Sequence, residues 1–191
     1  RVGFACCDIR DIEAYRSALT SLAQQHGDAL VLVNNAANDS RHDWREVTPE
    51  YWDDRMAVNL RHAFFAIQAV APGMIAAGGG SIINFGSISW MILSERIPAY
   101  MTAKAAAHGL SRAMARDLGQ HGIRVNTIVP GWVMTERQLA HWVDDDANAW
   151  IDKSQAPQGR VMPEAIACMA LVPAADCWAL IRGQRFLVDG G

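Results

Sequence analysis

Several features are missing from this chain of 191 residues, and each absence excludes a class of protein. No apolar run approaches the roughly 18 residues that a membrane-spanning helix requires. The first residues lack the long apolar core of a signal peptide. The formal net charge is −3, with no basic tail or stripe, so we expect neither nucleic acid nor a membrane as a partner.

Cysteine is scarce and is not arranged for disulfide bonds or for a metal. The four residues are Cys6, Cys7, Cys168 and Cys177, two adjacent and two distant, which fits neither a zinc site nor a disulfide framework. The six histidines show no metal-ligand spacing either. We therefore expect four free thiols in a reducing cytoplasm and no bound metal.

Short apolar runs alternate with helical periodicities along the chain, and no internal repeat interrupts them. The predicted strands are residues 2–7, 29–33, 81–85, 123–129 and 185–188. The predicted helices are residues 11–25, 48–70, 99–120 and 163–171, and residues 132–162 are predicted to be less regular. This alternation predicts one α/β domain over residues 1–191, a doubly wound parallel sheet with helices on both faces.

Residues 29–33 form a continuous run of aliphatic side chains, which is typical of a strand buried on both faces. Ligands of such sheets bind beyond the carboxyl ends of the strands. The segments that follow predicted strands are therefore the first places to look for a site. These segments hold Asp8, residues 34–37, Ser87 and residues 130–135.

Tyr100 and Lys104 lie four residues apart in a predicted helix and so share one face. A free phenol has a pKa near 10, and a nearby ammonium lowers that pKa. The spacing therefore gives a tyrosine that can act as a general base. By itself the pair is a weak signal, because a surface tyrosine beside a lysine has the same spacing.

Ser87 ends a predicted buried strand thirteen residues before Tyr100, and both side chains would project toward the same crevice. A serine hydroxyl there can hold a substrate oxygen while the phenolate takes its proton. The alternative for Ser87 is a turn or helix-capping role. The presence of Tyr100 and Lys104 favours the catalytic interpretation.

The order of these motifs resembles the short-chain dehydrogenase/reductase family over essentially the whole chain. The resemblance rests on Asn34-Asn35-Ala36-Ala37, on Asn59, on Ser87, on Tyr100-x-x-x-Lys104 and on Pro130-Gly131-x-x-x-Thr135. It implies a Rossmann-like fold and an oxidoreductase that uses NAD or NADP. One departure is Ala37, where the family pattern has glycine.

The resemblance implies a catalytic role for four residues. Ser87 would orient the substrate, and Tyr100 would be the base in oxidation. Lys104 would bond the nicotinamide ribose and lower the pKa of Tyr100, and Asn59 would hold a water that links Lys104 to solvent. The residues implied to bind the cofactor are Asp8, Ile9, Asn34, Ala36, Tyr100, Lys104, Pro130, Gly131, Val133 and Thr135.

A narrower resemblance is to bacterial aldose 1-dehydrogenases, which oxidise the anomeric carbon of a sugar to a lactone. It rests on residues 38–42, 56–62, 84–90 and 135–138. The loop from Asn38 to His42 could supply polar groups for a polyol, although Arg41 and His42 could also be solvated. The implied substrate-binding residues are Ser87, Ser89, Trp90, Tyr100 and Trp132.

Two tryptophans leave the identity of the substrate open. Trp90 could pack within its loop instead of binding a sugar, and Trp132 stands where some sugar dehydrogenases have asparagine. A short-chain dehydrogenase for another secondary alcohol or ketone is therefore the second hypothesis.

The family's glycine-rich turn, T-G-x3-G-x-G, is absent, and the chain starts with Arg1 inside a predicted strand. The cradle that such a turn provides for the pyrophosphate is missing with it. We therefore expect that the first βαβα segment of the fold is lacking. Either upstream sequence exists, or the chain is a truncated, non-catalytic remnant.

The resemblance also implies a homo-dimer or homo-tetramer formed through the helices at about residues 51–76 and 99–120. A face of small residues would permit close helix approach, although it could equally pack on the sheet. This face contains Ala103, Ala106, Ala107 and Ser111.

Overall fold

The computed structural model describes residues 2–174 and 178–191. Its helices are α1 (Ile12–His26), α2 (Pro49–Met56), α3 (His62–Ala76), α4 (Pro98–Leu118), α5 (Glu136–His141), α6 (Asp145–Ser154) and α7 (Pro163–Ala174). A π-helical segment, Ala57–Arg61, joins α2 to α3, and single 3-10 turns occur at Trp44–Glu46 and Gly119–His121. The strands are β1 (Val31–Asn34), β2 (Gly80–Phe85), β3 (Ile123–Pro130) and β4 (Arg185–Val188).

The four strands form one parallel sheet in the order β1-β2-β3-β4. Asn34 pairs with Asn84, Phe85 pairs with Ile128, and Pro130 pairs with Val188, so the carboxyl ends of the strands meet at one edge. One face carries α1, α3 and α4, and the other carries α7. The predicted parallel α/β sheet with helices on both faces is confirmed.

Two core clusters fill the two faces of the sheet. The first contains Leu32, Ala66, Ile67, Met74, Ile82, Ala115, Ile123 and Val125. The second contains Ile83, Ile128, Val161 and Ile166. Adjacent residues Ile82 and Ile83 belong to different clusters because successive side chains of a strand point to opposite faces.

Local sequence signals position the ends of several elements. The Asp11 side chain caps α1 by accepting a hydrogen bond from the Ala14 amide at 3.0 Å. Gly27, with φ of 87°, ends that helix in a conformation that glycine adopts without strain. Gly122 precedes β3 with φ of 76°. A Cβ at this position would lie 2.7 Å from the Gly78 carbonyl oxygen, so the close approach of these two backbone segments requires glycine.

The predicted strand at residues 2–7 is wrong. Val2 and Phe4 are almost fully exposed, and Gly3 lies against the His26 ring at the end of α1. A strand needs a hydrogen-bonded neighbour, and among the described strands β1 pairs with β2 alone.

The prediction that residues 29–33 are buried on both faces is also wrong. The strand is β1, and its side chains alternate between exposed and buried. Leu32 packs in the first core cluster, but Val31 and Val33 are 44% and 45% exposed. The reason is that β1 lies at the edge of the sheet, where none of the described helices covers its second face.

Residues 132–162 are more regular than predicted, because they contain α5 and α6. Both helices begin at capping side chains. Thr135 accepts a hydrogen bond from the Gln138 amide at 3.3 Å, and Asp144 accepts one from the Ala147 amide at 2.8 Å. Caps stabilise helices too short to show a clear apolar period.

The small-residue face of α4 packs on the sheet, which was the alternative to close helix approach, except that Ala106 is partly exposed. Ala103, Ala107 and Ser111 are buried within this chain, and α4 packs against β2 and β3.

Cys6, Cys7 and Cys168 are free thiols, whereas Cys177 lies outside the described residues. Among the described residues, no helix combines the length and the apolar character needed to cross a bilayer.

A buried hydrogen-bond network joins three strands to α4. Asn34 Nδ2 donates to Asn84 Oδ1 at 2.8 Å, and Asn84 Nδ2 donates to Ser111 Oγ at 2.9 Å. Thr127 Oγ1 donates to the same Ser111 oxygen at 2.7 Å, and Ser111 donates to Ala107 O at 3.0 Å. The network fixes the position of α4 along the sheet.

Replacement of Asn84 by leucine tests this network. The leucine has a similar size but leaves the Asn34 amide without its nearest acceptor, which costs about 1–3 kcal/mol of unfolding free energy. Urea unfolding measures the loss. The control is Val31→Thr on the exposed face of β1, which should change the unfolding free energy by less than about 0.5 kcal/mol. Equal stability of the Asn84→Leu variant and the unsubstituted protein would contradict the role given to the network.

Candidate active site

The site lies at the edge where the carboxyl ends of the strands meet. After β2 the chain continues beside β3, because Gly86 N bonds Ile128 O at 2.8 Å and Ile88 N bonds Pro130 O at 3.2 Å. Ser87 is therefore held between two strand ends. This edge is where open α/β sheets bind their ligands.

The structure brings Ser87, Tyr100 and Lys104 together. Lys104 is 3% exposed, and its Nζ donates to the Phe85 carbonyl oxygen at 2.9 Å. The same Nζ lies 5.7 Å from the centroid of the Tyr100 ring, and the Ser87 side chain is close enough to Tyr100 to lower its pKa. The cluster thus contains a serine hydroxyl, a phenol and a buried ammonium at one strand end.

The pKa values of the pair are shifted mainly by burial. Burial raises the pKa of Tyr100 to about 12, the Ser87 side chain opposes this rise, and the charge of Asp39 adds to it. Burial lowers the pKa of Lys104 to about 8. The direction for Tyr100 is the reverse of the expected one, because loss of solvation is the largest cause and exceeds the opposing effect of Ser87.

Asn59 is buried in the π-helical segment and holds the backbone of a neighbouring loop. Its Oδ1 accepts from Asn38 N at 2.8 Å, and its Nδ2 donates to Asn38 O at 3.0 Å and to Arg55 O at 2.9 Å. Both side-chain donors are therefore in use, and a water held by Asn59 would have to use an acceptor oxygen. Single π-helical turns occur frequently at functional sites.

His42 links the same loop to the start of α4. Its Nε2 accepts a hydrogen bond from Ala99 N at 3.5 Å, and its Nδ1 lies 3.2 Å from Ser40 O and 3.0 Å from Tyr51 Oη. With Nε2 as the acceptor from Ala99 N, Nδ1 is the nitrogen that can donate to Ser40 O. Ile97, the N-cap of α4, has no polar side chain, so His42 satisfies an amide at that helix end.

Asp39 and Gln138 connect this loop to α5. Gln138 Nε2 donates to Asp39 Oδ2 at 2.6 Å, and Arg137 Nε donates to Asp39 Oδ1 at 3.2 Å. Trp132 Nε1 donates to Gln138 Oε1 at 2.9 Å, and the Trp132 ring lies 6.0 Å from that of Trp150. Trp132 thus packs between α5 and α6, next to the loop that follows β1.

The other two predicted substrate residues have different surroundings. Ser89 is buried, its amide donates to Ser87 Oγ at 3.1 Å, and its own Oγ has no partner among the described residues. Trp90 lines a different groove, of about 910 Å³, together with His42 and Met101, and we call it the second groove to distinguish it from the site at Ser87. The Arg185 guanidinium is 5.8 Å from the Trp90 ring. Ser89 is therefore close to Ser87, whereas Trp90 belongs to the second groove.

The predicted cofactor residues also divide into two groups. Asn34 has a buried side chain in the sheet network, Val133 packs against the second core cluster, and Asp8 accepts three side-chain hydrogen bonds from Arg10. Ala36 and Thr135 are exposed, and Ile9, Pro130 and Gly131 are partly exposed. Asn34 and Val133 thus pack within the domain, whereas Asp8 is exposed and, like the second group, is accessible to a ligand.

The residues around Lys104 fit the nicotinamide riboside half of the cofactor. The Lys104 ammonium has three donors, and one of them is used by Phe85 O. Gly131 permits a close approach between strand ends, because a Cβ there would lie 2.6 Å from Asp189 Cα. No group of three or more His, Cys, Asp or Glu side chains gathers in the described ranges in a way that could hold a metal.

His62 is a buried residue of the site that the sequence reasoning did not assign a role. It is 2% exposed, its Nδ1 lies 3.4 Å from Ala57 O, and its Nε2 has no partner within the described chain. Burial, reinforced by the charge of Lys104, lowers the pKa of His62 to about 4. The sequence signal for His62 was its position within residues 56–62, a segment that resembles a motif of the family.

The lowered pKa of His62 makes stability depend on pH. Above pH 6.5 the imidazole is neutral in both the folded and the unfolded state. As the pH falls from 6.5 to about 4, the unfolded state takes up the proton first and stability is lost, by about 3 kcal/mol. Unfolding of the wild type and of His62→Gln at several pH values measures this loss, and equal slopes for the two proteins would refute it.

Removal of the His42 acceptor should weaken the start of α4. His42→Phe keeps a ring beside Tyr51 but leaves Ala99 N unpaired, so we expect a loss of about 1 kcal/mol of unfolding free energy. We also expect faster hydrogen exchange at the first turn of α4. The control Trp44→Phe changes an exposed neighbour in the 3-10 turn, and exchange at α4 should be unaltered in it.

Comparison with known proteins gives consistent results. A family model described as "Enoyl-(Acyl carrier protein) reductase" matches residues 1–191. The chain is 46% identical over 185 residues to D-xylose 1-dehydrogenase of Caulobacter vibrioides, which covers 97% of this chain and 73% of that protein. It is 42% identical over 188 residues to a probable galactose dehydrogenase of Rhizobium meliloti, covering 98% and 73% of the two chains.

A solved structure shows the same architecture. Gluconate 5-dehydrogenase from Burkholderia cenocepacia, in complex with NADP and tartrate, superposes with a TM-score of 0.89 and 32% sequence identity. The match covers 97% of this chain and 72% of that one. Together with the parallel sheet and the Ser87, Tyr100 and Lys104 cluster, these similarities show that the chain belongs to the short-chain dehydrogenase/reductase family, whose members are NAD(P)-dependent oxidoreductases.

Proposed function

We propose that the protein oxidises the anomeric hydroxyl of an aldose to a lactone with NAD or NADP as the hydride acceptor. The observation that carries this proposal is the grouping of Ser87, Tyr100 and buried Lys104 at one strand end. The relatives named as D-xylose 1-dehydrogenase and probable galactose dehydrogenase support the choice of sugar.

The roles of the side chains follow from their chemistry. Ser87 would donate a hydrogen bond to the oxygen at C1 of the sugar. Tyr100 would accept the hydroxyl proton in its phenolate form, which the positive charge of a bound oxidised nicotinamide would favour. Loss of the hydroxyl proton to Tyr100 and of a hydride from C1 would together convert the C1–O bond into the carbonyl of the lactone. The bound oxidised cofactor would supply the hydride acceptor, and the protein would orient the reactants and provide the electrostatic environment.

Lys104 would hold the nicotinamide ribose through donors that Phe85 O leaves free. Exposed or partly exposed residues just before α1 and at or beyond the ends of β1 and β3 would hold the rest of the cofactor. These residues are Asp8, Ile9, Ala36, Pro130, Gly131 and Thr135. Ser89 and Trp132 flank the place proposed for the sugar, Ser89 through its bond to Ser87 and Trp132 through Gln138.

A second candidate is oxidation of a secondary hydroxyl of a polyol or sugar derivative. The similarity to gluconate 5-dehydrogenase favours it. A panel of aldoses, alditols and sugar acids, with product identification, separates the two candidates.

We further propose that the protein works in the cytoplasm as a homo-dimer or homo-tetramer. The outer face of α4 supports this, because its Met101, Thr102 and Ala105 line the second groove rather than the core. Burial of the small-residue face of α4 on the sheet leaves this outer face available for association. Light scattering of the full-length protein tests the oligomeric state.

The substitution Tyr100→Phe tests the proposed reaction. In the full-length protein it should lower kcat for aldose oxidation by roughly 100-fold to 10,000-fold, because it removes the proton acceptor. Formation of NADH or NADPH is followed by absorbance at saturating aldose, and calorimetric titration should show that cofactor binding is retained. Tyr15→Phe, a tyrosine change outside the cluster, should keep kcat, and retained turnover in Tyr100→Phe would refute the assignment.

A further inference from the structure

A cleft of about 640 Å³ lies between the second half of α4 and the turn that leads into β4. On α4 its lining residues include His108, Arg112 and Arg116, which are spaced four residues apart and therefore share one face of the helix. The turn and the first residue of β4 contribute Arg182 and Arg185. The cleft thus gathers four guanidinium groups and an imidazole, and no acidic residue of the described chain lines it.

We infer that this basic cleft binds a small molecule that carries several phosphate groups. The cleft is separate from the active site, because Arg112 follows Lys104 by eight residues, which is about 12 Å along a helix. It also shares no lining residue with the second groove. The inference therefore adds a binding site to the protein and does not depend on the proposed reaction.

The backbone of the turn is attached to the sheet and lies directly against α4. Gly183 N donates to Val125 O at 2.8 Å, and Gln184 N donates to Asn126 Oδ1 at 3.0 Å. A Cβ at Gly183 would lie 3.6 Å from Arg112 Cα. Both walls of the cleft thus belong to the folded core, so the basic residues are brought together before any ligand binds, which lowers the cost of binding.

Carboxylates do not neutralise the arginines of the basic cleft. Within the described ranges none of these four arginines forms an ion pair, whereas six other arginines each pair with an Asp or Glu side chain. Asp117 follows Arg116 in the sequence but does not line the cleft. Concave sites lined by charges of one sign focus the electrostatic field and attract ligands of the opposite sign. The ligand is therefore an anion.

His108 gives a second, independent indication of a ligand. Its Nδ1 is buried and has no hydrogen-bond partner among the residues that the structure describes. Burial lowers the pKa of His108, and the charges of Arg185 and Arg112 lower it further, so both guanidinium groups lie near the ring. An anion placed between them would offset these charges and accept a hydrogen bond from the imidazole.

A simpler explanation is that the arginines stabilise the end of α4. Cations near the C-terminus of a helix interact favourably with its dipole, but the effect falls off within the last turn. It accounts for Arg116, which lies in that turn, and for Arg182, whose Nη1 donates to Gly119 O at 2.6 Å. It does not account for Arg112, which precedes the last turn, or for Arg185, which lies on β4.

The residue types and the dimensions of the cleft indicate phosphate groups. Guanidinium groups bind phosphate oxygens through two parallel hydrogen bonds. From His108 to Arg116 the cleft extends over eight residues, about 12 Å of helix, which is more than one phosphate group can contact. Its volume of about 640 Å³ lies within the range of small-molecule sites. A compound with several phosphates fits this cleft better than a single inorganic phosphate.

Calorimetric titration of inorganic tripolyphosphate into the full-length protein tests the inference. We expect saturable binding that weakens as the salt concentration rises. Arg112→Gln and Arg185→Gln change exposed side chains on the two walls, and each should weaken binding by about tenfold or more. The matched control is Arg45→Gln, an exposed arginine outside the cleft, which should bind as the wild type does. Tripolyphosphate bound at the cofactor site would be retained in all three variants, so the comparison isolates the cleft.

His108 provides a local readout of the same binding. In protein labelled with ¹⁵N-histidine, tripolyphosphate should raise the pKa of His108, because the anion offsets the two guanidinium charges. His108→Gln identifies the resonance. The resonance of His26 at the end of α1 should not respond.

A parallel titration with ATP distinguishes two sources of the phosphate groups. ATP and tripolyphosphate both contain three phosphates. Tighter binding of ATP would support the inference and identify the ligand as a nucleotide. Equal binding would support it with a phosphate chain as the recognised part.

Three outcomes would overturn the inference. The first is unchanged tripolyphosphate binding in both Arg112→Gln and Arg185→Gln, and the second is an equal loss in Arg45→Gln. The third is a fall in the mass measured by light scattering when tripolyphosphate is added, because the cleft would then hold an acidic segment of a second copy of the chain. None of these measurements uses an aldose, so each of these outcomes leaves the proposed function standing.

Discussion

The hydrogen bond from Asn84 to Ser111 connects the centre of the sheet to α4, and the position of the reacting groups depends on it. Ser111 lies about two helical turns after Lys104 on the same helix face, so its place on β2 and β3 determines where Lys104 meets Phe85 O. Asn34 and Thr127 extend the same network into the strands on either side. Buried polar networks of this kind specify one arrangement of a core because a shifted one would leave polar groups unpaired.

The sequence predicted structure correctly at positions where the residue type has one well-defined local effect. Tyr100 and Lys104 share a helix face, Asp11 caps α1 and Gly27 ends it, and each follows from a local rule. The family and the fold followed from such signals. The surroundings of a side chain did not, because they depend on distant residues. Examples are the exposed face of β1, which lies at a sheet edge, the bond of Asn59 to Asn38 of the loop, and the bond of the loop residue His42 to Ala99 of α4.

Electrostatics explains the largest difference between the expected and the observed site. Proximity of an ammonium suggested an acidic Tyr100, but the same burial that brings Lys104 close removes water from both groups. The pKa of Tyr100 rises to about 12 and that of Lys104 falls to about 8. A site of this kind holds its proton firmly in the absence of ligands, and the charges that enter it with ligands then decide when the proton moves.

The π-helical segment Ala57–Arg61 has a consequence for how this part of the chain can vary in length. A π-helical turn contains one more residue than an α-helical turn at the same position. Deletion of one residue there would leave a continuous α-helix, and each residue of an α-helix turns by about 100°. Asn59 would then no longer face Asn38, or α3 would have to rotate on the sheet, so the length of the segment is as constrained as the identity of Asn59.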